Sequence, residues 1–415
     1  MKNILTINTA NSGGGAEKVA YVLCKALHER GYDSKMLARV VDHSADELAK
    51  DLVLPVPGGD VLYSAGNLLD DIFSTQYWFY LPTWTLPLMD VVRRADVVHL
   101  HNIHGYYFNL LTLPLLMWDK PVVWTFHDMW AFTGKCAWDF GCGRYAASCG
   151  QCPQLDYYPR LRRDTTPILL RLKRLLYGRP TYSIVTPSEW LRSHVERSIL
   201  RRVPTYVIPS PIDTRIFHPQ EKRASRERLG IPAGKRVVMF IASWINTIPH
   251  KGVADFKEML THLYSQREDM FTIIVGHLQG QSVLEGRFAG LETGWVSDQR
   301  TLRDCYTAAD VFVSPTMAEN SSCTILEGMA CGTTAVAYAT GGIPEQIVDG
   351  ETGILVPPGD RRKLLEAVSS LIASPEKVAG FGLAAHRRAS EHFSLDIFME
   401  KYLKVYQDTI RAKTA

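Results

Sequence analysis

Two glutamates eight residues apart, Glu319 and Glu327, frame the start of a helical stretch in this 415-residue chain. A strand-like run at 311–313 comes first, then Ser314-Pro315-Thr316, and the helix is predicted to begin near Ser322. Its open amide groups at Ser321, Ser322 and Cys323, with the positive end of the helix dipole, suit a diphosphate. Glu319 precedes the helix and Glu327 lies about one turn inside it. One carboxylate can therefore address ribose hydroxyls and the other a sugar beyond the diphosphate. A glycine turn, Gly341-Gly342, follows a further strand downstream. A second strand–glycine–helix unit opens the chain, where residues 4–7 lead into Ser12-Gly13-Gly14-Gly15. Gly14 and Gly15 let the backbone approach a ligand closely. The dinucleotide fingerprint fails at Lys18, and no Gly-Lys-Ser/Thr follows to make a Walker loop.

Cys136, Cys142, Cys149 and Cys152 gather in one glycine-containing loop, where four thiolates can hold a structural zinc. All ligands being protein groups, such a site has no catalytic role, and no catalytic metal is expected. His101 and His104 follow the strand at 97–100, and Asp128 ends another strand nearby. These groups hold an acceptor, orient a neighbour, or make ordinary turn hydrogen bonds. Charge is uneven: between Arg160 and Arg202 eleven cations face three acids. Within that stretch a helix is predicted after Pro167, with Ile168, Leu169, Leu172, Leu175 and Leu176 on one face. Arg171, Lys173 and Arg174 lie opposite, a mixture that suits an anionic membrane surface or, equally, a solvated helix. The aromatic run 77–80 with Trp84 reads chiefly as core, or else as an acceptor- or membrane-facing surface.

The elements that must position these groups form two successive alternations of strand and helix. Strands are predicted at 4–7, 97–100, 122–126 and 183–186, then at 237–241, 271–275, 311–313 and 334–337. Helices fall between them, notably 16–30, 253–264, 323–330 and 361–372, and a last one at 394–410. Such alternation implies two parallel sheets covered on both faces. Domains are expected at 1–208 and 209–390, joined at Ile208-Pro209-Ser210-Pro211, with 391–415 packing back on the first. A hydrophobic fraction of 46% and a charged fraction of 21% exclude global disorder. The net charge of +3 gives no argument for nucleic acid, and no nucleic-acid partner is expected. Residues 1–7 read as strand and not as a signal peptide's apolar core, and no stretch reaches the ~18 apolar residues of a membrane span. A cytoplasmic protein is expected, peripheral on the inner face of the membrane.

Residues 319–332, the turn 341–345 and the run 349–360 together resemble glycosyltransferase family four. The resemblance extends to 13–17 and 123–130 and covers nearly the whole chain. It implies an α/β protein of GT-B fold, with two facing Rossmann-like domains and a C-terminal helix returning to the first. It also implies a retaining enzyme that uses a nucleotide sugar, with a UDP- or GDP-sugar as donor. The similarity is close to a subgroup that builds bacterial exopolysaccharide, O-antigen or colanic acid, which implies a lipid-linked saccharide acceptor. By the same resemblance Glu327 binds the ribose, Glu319 the donor sugar, and His127 the region of the reacting carbon. Lys251 matches the cation that neutralises the diphosphate, and Val296 lies where the backbone reads the base. Many relatives place an arginine just before that lysine, but residues 241–249 contain none, which leaves His250 or Arg303 as substitutes. Two rivals remain, a nucleotide-sugar epimerase or hydrolase on the same architecture and a zinc-bearing nucleic-acid binder.

Overall fold

The computed structural model describes residues 1–44, 46–244 and 249–414. Two compact units emerge, Met1–Pro209 with Met399–Ala415, and Ser210–Phe398. Each is built on a parallel sheet flanked by helices, the GT-B-like α/β arrangement.

In the first unit the described strands are β1 (Asn3–Ala10), β2 (Asp33–Val40), β3 (Val53–Pro55), β4 (Val97–Leu100), β5 (Val122–Thr125), β6 (Ser183–Thr186) and β7 (Thr205–Val207). Their order is β3-β2-β1-β4-β5-β6-β7. The order reverses between β1 and β4, so the carboxyl ends of these neighbours form a crevice of the kind that takes ligands. Leu5, Ile7, Val98, Leu100 and Trp124 point into one apolar core. The alternate residues point the other way, and there the sheet is unexpectedly polar. His99, Thr125 and Ser183 are buried on that side against the C-terminal helix Leu395–Thr414. Tyr406 shares a hydrogen bond of 2.7 Å with His99 Nδ1, and Tyr402 one of 2.8 Å with Thr125. Thr409 donates to Ser183 at 2.7 Å. Tyr402 and Tyr406 thus meet hydroxyl and imidazole partners, which satisfies groups that burial would otherwise penalise.

The second unit has β8 (Arg236–Trp244), β9 (Met270–His277), β10 (Gly290–Glu292), β11 (Val311–Ser314), β12 (Thr334–Tyr338) and β13 (Gly353–Val356). Among the described residues their order is β10-β9-β8-β11-β12-β13. Val237 and Met239 enter one core cluster, while Val238 and Phe240 enter another. A strand buried on both faces reads as an uninterrupted apolar run, as β8 does.

The helix Thr166–Tyr177 forms as expected, with Pro167 in its first turn, but it buries a different face. Leu169, Leu170, Lys173 and Tyr177 are buried, while Ile168 and Leu175 are exposed at 57% and 72%. The cause is the turn Trp130–Phe132, whose carbonyls need donors. Lys173 Nζ donates to Trp130 O at 2.6 Å and Thr133 O at 3.1 Å, and Tyr177 donates to Ala131 O at 2.7 Å. The ammonium lies 3.7 Å from the Trp130 ring centroid. Burial pushes its pKa down to about 7. Lys173 therefore faces the protein and is not part of a membrane-facing basic surface.

Candidate active site

The second unit gathers the donor-side residues around one helix start. Ser322 caps the helix Cys323–Ala330, its hydroxyl accepting from Ile325 N at 3.3 Å. Gln346 clamps Ser322 twice, accepting from its amide at 2.9 Å and donating to its carbonyl at 3.0 Å. Among the described residues, Ser321 Oγ is buried with no hydrogen-bond partner, as is Thr340 Oγ1 in the adjoining glycine turn. Two buried hydroxyls without partners beside a helix N-terminus fit an anion that accepts from them. Glu319 precedes the helix and pairs with Lys251 Nζ at 3.0 Å, both half-buried. Glu327 sits one turn inside, buried, and accepts from Tyr306 OH at 3.0 Å.

Two glycines make this convergence possible. Gly341 has φ +58°, and a Cβ there would overlap the Glu319 carbonyl oxygen. Gly342, buried, continues the same turn into the short helix Ile343–Gln346. Gly252 has φ +76°, and a Cβ there would overlap Pro315 O. Met317 N and Thr316 Oγ1 both donate to His250 O, at 2.7 and 3.1 Å. The segment carrying Lys251 is thereby fastened to the segment carrying Glu319. Gly341→Ala is expected to cost about 1–2 kcal/mol in backbone strain and more in displacement of Glu319. Its signature is a fold that survives in circular dichroism but loses thermal stabilisation by the donor. Stabilisation equal to that of the parent protein would show that this close approach is irrelevant.

Two side chains stand as substitutes for the missing arginine, His250 and Arg303. Burial, with Lys251 beside it, pushes the pKa of His250 down to about 4, so it is neutral near pH 7. Arg303 is engaged by Ile216 O and His218, at 3.3 and 3.2 Å. Of the stretch 241–249, residues 245–248 lie outside the described residues. Val296 is half-buried against the cluster that includes Ile325 and Leu326. Its neighbour Trp295 is 44% exposed and stacks on His277 with ring centroids 5.0 Å apart. Sequence reading passed over that pair because histidine and tryptophan lie eighteen residues apart on separate segments.

In the first unit the ends of β1, β4 and β5 carry a second polar group of residues. A pocket there is lined by His101, Asn102, His104, His127, Asp128 and Trp130. His101 Nδ1 and His127 Nε2 share a hydrogen bond of 2.9 Å, and their rings stack at 5.2 Å. Burial lowers the pKa of both, that of His127 to about 4, so both rings are neutral near pH 7. His104 Nε2 lies 2.9 Å from Asp128 Oδ2, and Trp130 N donates to the same carboxyl at 2.8 Å. Burial alone would raise the pKa of Asp128, yet the His104 pairing and the amide hold it below the usual carboxylate range. Gly14 caps the helix Gly15–Glu29, and a Cβ on it would overlap the Glu17 carboxylate folded back over the turn. Glu17 was legible only as part of the glycine motif. Burial raises its pKa, with Asn102 and His104 pulling the other way, so it belongs to this acidic–imidazole group.

Contacts within the cysteine loop close it on itself. Cys136, Cys142, Cys149 and Cys152 are free thiols, each half-buried. Among the described residues, no three His, Cys, Asp or Glu side chains are gathered so as to hold an ion, so the zinc expectation finds no support. Buried Lys135 donates to Leu155 O and Tyr157 O at 3.1 and 2.7 Å. Asp139 accepts from the amides of Gly141 and Gly143 at 3.2 and 3.1 Å, and Arg144 donates to the carbonyls of Gly150 and Gln151 at 2.8 and 2.6 Å. Charged side chains thus close the loop against its own backbone.

A parallel two-sheet protein with carboxylates at a helix start and a histidine at a strand end defines the GT-B class. Family comparison agrees: the Glycosyltransferase Family 4 model matches residues 13–216, and Glycosyl transferases group 1 matches 235–374. The chain belongs to the GT-B-fold glycosyltransferases related to family four. Alpha-maltose-1-phosphate synthase of Mycolicibacterium smegmatis is 29% identical over 247 residues, which cover 54% of this chain and 62% of that protein. The chain spans roughly half the length of the curated relatives it matches, 45% to 62%. Sucrose-phosphate synthase from Thermosynechococcus elongatus has a similar structure, with TM-score 0.72 and 18% identity over 99% of this chain and 100% of that one. Anabaena HepE in complex with UDP-glucose gives TM-score 0.66 and 18% identity over 98% and 99%.

Proposed function

We propose that this chain transfers a sugar from a nucleoside diphosphate, with retained anomeric configuration, to a hydroxyl of a lipid-linked saccharide in bacterial surface polysaccharide biosynthesis. It works in the cytoplasm at the inner face of the membrane. The observation that carries this reading is the Lys251–Glu319 pair, fastened beside a helix start whose neighbouring Ser321 hydroxyl has no partner among the described residues.

The diphosphate lies at the helix start formed by Ser321, Ser322 and Cys323, where Gln346 holds the Ser322 amide in place, with Lys251 neutralising its charge and Gly342 closing the turn. Glu327 accepts from the ribose, Glu319 from the donor sugar, and Val296 offers its backbone to the base. His127, neutral and oriented by His101, supplies a polar contact to the donor sugar. His104 and Asp128 address the acceptor, and Gly14 and Gly15 let the backbone come close to the donor. The anomeric carbon loses its bond to the diphosphate oxygen and gains one to the acceptor oxygen on the same face. The acceptor's proton passes to the departing phosphate. Positioning and charge stabilisation carry the rate.

A panel of UDP- and GDP-sugars tested for thermal stabilisation identifies the donor. A ligand at 100 times its Kd adds about 2.7 kcal/mol to apparent stability. The matching donor then transfers its sugar to a lipid-linked saccharide with only slow hydrolysis in its absence. Rapid donor consumption without acceptor would favour the epimerase or hydrolase reading. No stabilisation by any of the sugars would remove both.

A further inference from the structure

The helix Asp60–Phe73 turns its apolar face outward. It buries only Tyr63, Gly66 and Asp70. Asp70 accepts from Thr75 and from Tyr77 N at 2.6 and 2.7 Å. At Gly66 a Cβ would stand 2.9 Å from Phe79 O, so the helix lies close on the segment that follows it. At 100° per residue, Val61, Leu62, Leu68, Leu69, Ile72 and Phe73 share one arc about 140° wide. All six are exposed, from 38% at Leu69 to 83% at Val61. No charged residue falls within that arc. The apolar surface continues onto the turn Leu81–Leu88, where Leu81, Trp84 and Leu88 expose 58%, 46% and 73%. Phe79 stacks on Phe73 with centroids 5.6 Å apart, which ties turn and helix together. Large apolar side chains grouped in this way are unlike the isolated ones of an ordinary surface.

The charges lie at the rim. Arg39 pairs with Asp60 at 2.5 Å at one end; at the other Arg162 pairs with Asp71, and Arg160 with Asp156 at 3.5 Å. Arg163 N donates to Ser74 Oγ at 3.0 Å, which holds the exposed Arg160, Arg162 and Arg163 beside the helix end that carries Phe73. We propose that this face docks on an anionic lipid bilayer, its apolar arc entering the acyl boundary and the three arginines meeting headgroups. With Asp71 and Asp156 counted against them, the three arginines leave a net positive charge beside an uncharged apolar face, which complements an anionic surface, and an interfacial Trp84 suits the same boundary. The inference rests on the lipid-linked acceptor proposed above for its purpose, and on the geometry of the first unit for its place. It replaces the helix Thr166–Tyr177, whose Lys173 is turned inward.

Co-sedimentation of the full chain with phosphatidylcholine vesicles, with and without phosphatidylglycerol, tests it. Anionic vesicles should take up the parent protein in a salt-sensitive way. Leu68→Gln with Ile72→Gln, both at exposed positions, should lower partitioning about tenfold or more on either vesicle. Arg160→Gln with Arg162→Gln and Arg163→Gln should remove only the preference for anionic lipid and its salt dependence. Arg171→Gln with Arg174→Gln should leave partitioning unchanged. Donor-induced thermal stabilisation is measured on every variant as a readout of fold and donor site. Unchanged partitioning of the Leu68/Ile72 variant overturns the proposal, as does failure of the parent protein to bind. A parent dimer in light scattering that this variant dissolves, without vesicle binding, assigns the face to a second copy. Loss of donor stabilisation in the parent with docking retained would strike at the transferase reading alone.

Discussion

Glu319→Gln is expected to lower kcat/KM by at least about a hundredfold and up to a thousandfold, that is ~2.7–4 kcal/mol of transition-state stabilisation. The replacement keeps the shape of the side chain and removes its charge. Gly341 packs on the carbonyl of Glu319 and not on the carboxylate, so the backbone is supported as before. What changes is the pair with Lys251 at 3.0 Å, which loses its anion. Lys251 is then released toward the diphosphate, and ground-state donor affinity should fall little or even rise. The loss therefore appears in kcat. Lys251→Ala works the other way, weakening donor affinity as well as turnover. Because the two side chains touch, the double variant should cost clearly less than the sum of the singles. His127→Ala should also abolish transfer without affecting the donor-side contacts of the second unit. Steady-state kinetics with donor affinity measured separately decides the matter. Near-normal turnover in both Glu319→Gln and His127→Ala would refute the assignment.

Much of this was legible because the donor-side signal is local. A strand, a helix start and a glycine turn within thirty-five residues fix which groups lie at a strand end, and no long-range contact is needed to see them. What joins them is not local. The sequence marks Gly252 and Gly341 as glycines, yet only the fold brings them against Pro315 and Glu319. The strand β2 escaped notice because its exposed ends, Asp33 and Val40, and its Lys35 and Arg39 break up the apolar run. The buried face of the helix after Pro167 departed from its reading for another reason. A helical wheel shows that an arc is apolar but not which arc meets the sheet. At Lys173 and Tyr177 the carbonyls of a three-residue turn chose the buried face, because a long cationic stem can bury its methylenes and still donate. On the helix Asp60–Phe73 the reverse holds, and Asp70 is buried because three partners in the next segment need its carboxylate. In both cases hydrogen-bond demand outweighed hydrophobicity.

Hydrogen-bond demand also predicts how the first unit responds to acid. His99 and His101 are buried at 0% and 1% exposure, and their rings are 4.1 Å apart. Burial lowers the pKa of His99 to about 3 and that of His101 well below the usual imidazole value. Unfolded, each titrates near ~6.5, so below that pH the unfolded chain binds protons that the folded chain refuses. Stability is therefore full above ~6.5 and falls as pH drops toward the folded values. Between pH 7.5 and 5 His99 alone removes about 2 kcal/mol, a large share of a typical domain's total, and His101 and His127, also lowered by burial, act in the same direction. Glu17, with its raised pKa, works in the opposite direction, because acid relieves the cost of burying its charge. Asp128, held low by His104, adds a further loss only at still lower pH. Urea unfolding followed by tryptophan fluorescence should show the midpoint falling steadily across this range. His99→Asn, which cannot titrate there, should be less stable at pH 7.5 because Tyr406 and Thr125 lose their shared imidazole, yet should show a shallower pH slope. A parent midpoint that stays flat from pH 7.5 to 5 would mean that these rings accept protons in place, and the hydrogen-bonded seam between the sheet and the C-terminal helix would then not be closed to charge.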